Sequence, residues 1–226
     1  MADQLRRHSN DGRTILMLAA IFVAIALLWG TVIVTPLKIF VVLLHEISHG
    51  VAAVATGGEI VRIEVNPEQG GICYTRGGNG FVTLSAGYLG SMLWGALILI
   101  AAARTRYDRY ISGAIGAFIL IVALLYVRNL FGFAAALLFA LALILCGWKL
   151  SGPTNDFVLK VIGMTSCLYA VLDIVDDVLR RPGIGSDADM LAQNTGIPSL
   201  AWGALWVLSS VVTTAFSLWI ASKGES

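Results

Sequence analysis

Charge is scarce in this chain. Asp, Glu, Lys and Arg make up 13% of its 226 residues, and the formal net charge is +1. A soluble domain carries about 25% charged residues, so an ordinary water-facing globular enzyme is excluded. The even balance also excludes a nucleic-acid binder that works by charge, which needs a strong basic excess. Cysteine is nearly as sparse. Cys73, Cys146 and Cys167 are odd in number and far apart, which excludes a secreted disulfide scaffold. No long linker and no internal repeat divides the chain, so residues 1–226 read as a single membrane domain. What is abundant is apolar surface: 58% of residues are hydrophobic and the mean hydropathy is +0.83. The chain reads as an integral membrane protein, and the few polar groups inside its apolar runs carry the information, because each is costly in lipid.

A bilayer core of about 30 Å takes about 20 apolar residues as a helix. Seven runs approach that length: 14–35, 37–56, 86–104, 110–127, 130–148, 156–179 and 200–221. The first follows a polar tail (1–13) with Arg6, Arg7 and Arg13, and it is too long for the apolar part of a signal peptide. Only Arg128-Asn129 divides the fourth run from the fifth. Trp29, Trp148 and Trp219 fall near run ends, where an interfacial aromatic belt places them. Basic residues fall in nearly equal numbers on the two sides, so the positive-inside rule selects no orientation.

One stretch, 57–85, is not helical in character. From Ile60 to Val65 apolar Val61, Ile63 and Val65 alternate with Arg62 and Glu64, the period of a half-buried strand. Asn66-Pro67-Glu68-Gln69-Gly70-Gly71 reads as a turn and Ile72–Arg76 as a second strand. Residues 180–199 read as a loop. The expected fold is therefore an all-α polytopic membrane protein of about seven transmembrane helices, with a short β-hairpin insertion after the second helix.

The second run contains Leu44-His45-Glu46-Ile47-Ser48-His49-Gly50, an HExxH motif. On a helix His45 and His49 stand one turn apart on one face, so two imidazole nitrogens can hold one Zn²⁺. Glu46, beside them, is placed to take a proton from a water activated by the metal and to pass it to a leaving amine. A catalytic zinc needs a third protein ligand. His8, in the tail, is the one histidine outside the motif, so the third donor is expected to be a carboxylate or a cysteine. In the sixth run Leu172-Asp173 is the leading candidate. With seven runs, the second and sixth cross in the same direction, and His49 and Asp173 each lie roughly 9–11 Å from the same boundary at 1.5 Å per residue. Asp176 is the next candidate, and Asp177 stands beside it. Asp187 and Asp189 become candidates if their loop folds back. Gly183-Ile184-Gly185-Ser186-Asp187 comes within one inserted residue of a GxGD signature and reads as turn chemistry. Gly113 and Gly116 read as sites of close helix packing.

His45-Glu46-Ile47-Ser48-His49-Gly50 early in a polytopic chain resembles the site-2 protease family of zinc intramembrane metalloproteases, especially its small bacterial members. Leu172-Asp173 matches the first two residues of the family's Leu-Asp-Gly third-ligand context, with Ile174 in place of the Gly. Gly87-Tyr88-Leu89-Gly90-Ser91 occupies the place of its Gly-Pro-x-x-Asn segment, without the Pro and with Ser91 for Asn. The resemblance implies an endopeptidase of the bacterial cell membrane with one Zn²⁺, bound by His45, His49 and Asp173, and Glu46 as its general base. The implied partners are the bilayer and a membrane-protein substrate, not nucleic acid; the strands at 60–76 could pair with an extended substrate by strand addition. Two other readings stay open. One is a non-catalytic membrane protein with a closed zinc site, to which Cys167 or a second Asp adds a fourth ligand. The other is an ion or proton transporter using Glu46 and Asp173 as a relay.

Overall fold

The computed structural model describes the backbone of residues 2–181 and 183–223; the side chains of residues 2–11, which include His8, and of Arg13 lie outside the described set. Its elements run α1 (Ala2–Leu28), α2 (Thr35–Ala55), β1 (Glu59–Val65), β2 (Gly71–Arg76), α3 (Gly80–Arg104), α4 (Asp108–Tyr126), α5 (Leu130–Lys149), α6 (Gly152–Val175), a π-helical turn (Asp176–Arg180), α7 (Asp187–Thr195) and α8 (Ser199–Ser222). Among the described residues six helices are long and apolar enough to cross a membrane: α2, α3, α4, α5, α6 with its π-helical turn, and α8.

The first run is the difference from about seven. Its apolar helical part, Thr14–Leu28, measures about 22 Å at 1.5 Å per residue, short of a bilayer core of roughly 30 Å. The helix stops where Trp29-Gly30 turn, well before the run's apolar composition ends. Leu18, Ile21 and Ile25, at helical spacing, pack against Leu99, Ala103, Met164 and Ala221.

Helix α2 is apolar around most of its circumference, and such a helix belongs in the interior. Val41, Leu44 and Ala53 are fully buried, and α2 sits in a core shared with β1, α4, α5 and α6. Glycines let the other spans close around it. A Cβ on Gly95 of α3 would stand 2.8 Å from Cys167 Sγ and from the Gly163 carbonyl of α6, and one on Gly116 of α4 would stand 2.7 Å from the Ala140 carbonyl of α5. In lipid such close backbone approach is what drives helix association, since apolar burial gains little there.

The insertion is a hairpin, with β1 and β2 antiparallel and Ile63 opposite Cys73. Ile63 and Val65 are buried as the alternation requires, whereas Val61 is exposed. The junction between α4 and α5 docks on β1. Val127 pairs with Ile63 as a parallel bridge, Arg128 N donates to the Ile63 carbonyl at 3.0 Å, and the Asn129 side chain bonds both the N–H and the C=O of Val65. That docking is why Arg128-Asn129 ends one helix and starts another. The insertion is shorter than 57–85: Asn79 caps α3 by accepting from Val82 N, so Phe81–Leu84 form its first turn. The segment 180–199 is not all loop, because it holds α7.

Replacing Gly95 by Leu forces the α3–α6 contact apart and is expected to cost roughly 1–3 kcal/mol, read as a lowered Tm in detergent. Gly113→Ala, where an added Cβ meets nothing within 4 Å, is expected to leave the Tm unchanged or raise it.

Candidate metal centre

His45 and His49, four residues apart on α2, present their rings edge to face with centroids 4.8 Å apart. Both Nε2 atoms face one carboxylate oxygen. Asp187 Oδ2 lies 3.1 Å from His45 Nε2 and 3.2 Å from His49 Nε2. These three residues form a group of metal-competent donors, all within 4.8 Å of one another. The second nitrogen of His49 is used as well: with Nδ1 protonated, it donates to the Thr83 carbonyl in the first turn of α3 at 2.6 Å. That bond leaves Nε2 with its lone pair free, the arrangement that orients and strengthens an imidazole ligand.

The local sequence explains how Asp187 arrives. Gly183 and Gly185 take φ of +81° and +82°, so the chain reverses sharply after α6. Ser186 then caps α7 in a reciprocal box: its hydroxyl accepts from Asp189 N, and the Asp189 carboxylate accepts from Ser186 N. Asp187 is the first residue of that helix. Ala188 and Leu191, fully buried, anchor it against Tyr88, Ile174, Val178 and Trp206.

The structure thus brings His45, His49 and Asp187 together, and it brings neither Asp173 nor Asp176 into that group. Asp173 is hydrogen-bonded to Tyr169 on its own helix, and Asp176 pairs with Arg180 and Arg181. Depth along a helix matched Asp173 to His49, but depth leaves the direction around the helix axis undetermined. Asp189 is occupied in the α7 cap, and Cys167 packs beside Gly95. A signal for Asp187 was present in the sequence: Ser186-x-x-Asp189 is a capping box, which marks a helix start inside the supposed loop.

Two glycines shape the space around the donors. A Cβ built on Gly87 of α3 would stand 2.3 Å from His45 Nε2, 2.5 Å from His49 Nε2 and 2.6 Å from Asp187 Oδ2. Only a residue without a side chain lets α3 pass this close to all three donor atoms. Zinc bonds of about 2.0–2.1 Å in a tetrahedron put neighbouring donors roughly 3.3 Å apart, close to the observed 3.1 and 3.2 Å. The residues therefore fit a zinc ion, with three protein ligands. Gly71 of β2 makes the second space. A Cβ there would meet Glu46 Oε1 at 2.6 Å, so the hairpin lies directly on the Glu46 carboxylate, which is buried and hydrogen-bonded to the Cys73 backbone. The Cys73 thiol is pushed up to about 12 by burial and by Glu46, and it lies outside the group of three donors.

Gly87→Ala drives a methyl carbon against all three donor atoms. The purified variant is expected to carry no stoichiometric zinc by elemental analysis, whereas Gly80→Ala, with open space around it, retains it.

Comparison with known proteins gives one result and two blanks. No curated protein and no solved structure matches the chain. A family model described as Peptidase M50B-like matches residues 18–217, a span that contains the HExxH helix, Gly87 and Asp187. The chain belongs to the Peptidase M50B-like family, the site-2 protease type of membrane metallopeptidase.

Proposed function

We propose that this protein is a zinc-dependent endopeptidase that cuts peptide bonds in or near membrane-spanning segments. The observation that carries the reading is the convergence of His45 Nε2, His49 Nε2 and Asp187 Oδ2, all within 4.8 Å of one another, with Glu46 next to them on the same helix. His45, His49 and Asp187 hold the ion. A bound zinc supplies Lewis acidity, lowering the pKa of a water and polarising a carbonyl. Glu46 takes the proton from the attacking water and delivers it to the leaving nitrogen. Gly71 and the Cys73 backbone fix the carboxylate for both transfers. Burial of the donors keeps bulk water away, which strengthens each electrostatic contact.

The substrate is a membrane protein whose helix unwinds locally to expose a peptide bond, and the setting is the bacterial cell membrane. The hairpin supports extended binding. One edge of β1 is taken by β2 and the other by Val127–Asn129, while β2 runs beside Glu46. An unwound segment adding to β2 would lie next to the general base, with main-chain bonds supplying affinity. The non-catalytic reading needs a fourth protein donor, and among the described residues the cluster has three.

Glu46→Gln is expected to retain zinc and to lower cleavage by about 10²–10⁴-fold, the usual worth of a general base. Comparing membrane peptides from cells carrying the wild type and this variant tests the activity and identifies the target. A protein that binds no zinc at neutral pH, or identical peptides in both strains, would sink the proposal. Asp187→Ala is expected to lose zinc and Asp173→Asn to keep it; X-ray absorption on the wild type should give three protein ligands. The opposite pattern of zinc loss would return the third position to Asp173.

A further inference from the structure

Asp177 joins three parts of the molecule that the chemistry above leaves unexplained. Its Oδ2 accepts the Tyr88 hydroxyl of α3 at 2.6 Å. Its Oδ1 accepts from Arg181 Nη2 at 2.7 Å. The same guanidinium reaches Asp176 through Nε at 2.6 Å, so one arginine ties two successive carboxylates. The tie is made possible by the π-helical turn, in which Arg181 N donates to the Asp176 carbonyl five residues back. Such wide turns are rare and gather at functional sites.

Each arm of this knot leads to a different metal ligand. The Tyr88 ring, 2% exposed, lies edge to face on His45 with centroids 5.1 Å apart and planes at 86°. Its other neighbour is Trp206, at 5.2 Å. The ring therefore fills the space behind His45 and stops that imidazole from turning. A phenol so deeply buried needs an acceptor, and Asp177 is that acceptor. The second arm is the chain itself. Arg181 begins the connection that reverses at Gly183 and Gly185 and delivers Asp187 to the two imidazoles. Holding Arg181 fixes where this connection leaves α6.

We propose that Asp177 is a positioning residue for the metal centre, setting the His45 ring through Tyr88 and the approach of Asp187 through Arg181. The proposal rests on His45, His49 and Asp187 being the metal ligands. It differs from a mere clamp at a helix end. A clamp affects only how firmly α6 is folded, whereas this knot governs the angle between two donors from separate elements.

The experiment uses full-length protein in detergent loaded with Co²⁺, whose visible bands report ligand geometry, followed by competition with Zn²⁺. Asp177→Asn is expected to weaken metal binding by about 10–100-fold, the usual effect of losing an outer-shell partner, and to shift the Co²⁺ bands. Tyr88→Phe keeps the ring and removes only the hydroxyl; it should shift the bands in the same direction with a smaller loss of affinity. Asp177→Glu should recover part of both effects. Thermal unfolding is followed in parallel. Variants that lose stability but keep wild-type affinity and spectrum would overturn the proposal and leave Asp177 a helix-end clamp. If Asp177→Asn does not fold, an unchanged spectrum in Tyr88→Phe overturns it alone. Should the wild type bind neither Co²⁺ nor Zn²⁺, the metal-ligand reading itself fails, an outcome separate from the first.

Discussion

Three lone-pair donors aimed at one point inside an apolar bundle make an arrangement that a cation resolves. Two imidazole nitrogens and a carboxylate oxygen, 3.1 and 3.2 Å apart across each His–Asp contact, lie largely out of contact with water. Buried polar groups are tolerated only when paired, and much of the surrounding structure serves that pairing. Helix α2, buried through its apolar circumference, carries its two histidines inward with it. Helix α3 meets it with glycine at positions 87 and 90, where a side chain would fall on the donors or on Ser48. Helix α7 is carried back to the bundle to contribute a single carboxylate.

The three donors come from parts of the chain that differ in what they can guarantee. His45 and His49 share a helix, so their spacing is fixed by 3.6 residues per turn and follows from local structure. Asp187 is 142 residues away from His45 in sequence, and no local rule brings it there. That contact depends on the reversal at Gly183 and Gly185, on the Ser186–Asp189 cap, and on Ala188 and Leu191 finding Tyr88 and Trp206. The Thr83 carbonyl meanwhile sets the tautomer of His49 from the first turn of α3. A rigid local pair is thus completed by a carboxylate placed through tertiary packing.

That division also separates what the sequence reveals from what it conceals. Spans α2 to α6 and α8 are legible because lipid demands long apolar runs, and the hairpin is legible because Ile63 and Val65 alternate with charged neighbours. His45, Glu46 and His49 are legible because an i, i+4 pair needs nothing beyond a helix. The approach of Asp187 to them is not, since hydropathy and depth describe position along the membrane normal while a side chain's neighbours depend on rotation about a helix axis. Asp173 satisfies the first condition, yet the structure turns it to Tyr169. The end of α1 at Trp29-Gly30 shows the same limit: composition stayed apolar to residue 35, and a local turn decided where the helix stopped.

The hairpin poses a last physical question, because strand edges beside a membrane leave backbone groups that lipid does not satisfy. The protein answers it with the α4–α5 junction. Val127 and Arg128 extend β1 like a short third strand, and Asn129 imitates one more peptide by bonding both polar groups of Val65. The outer edge of β1 is thereby partnered at Ile63 and Val65, one of the ways edge strands are protected. At β2 one backbone group, that of Cys73, is met by the Glu46 carboxylate, and Gly71 lies against the same carboxylate. The hairpin, held by its own ladder and by the α4–α5 junction, thereby brings a fixed backbone donor to the carboxylate of the proposed general base.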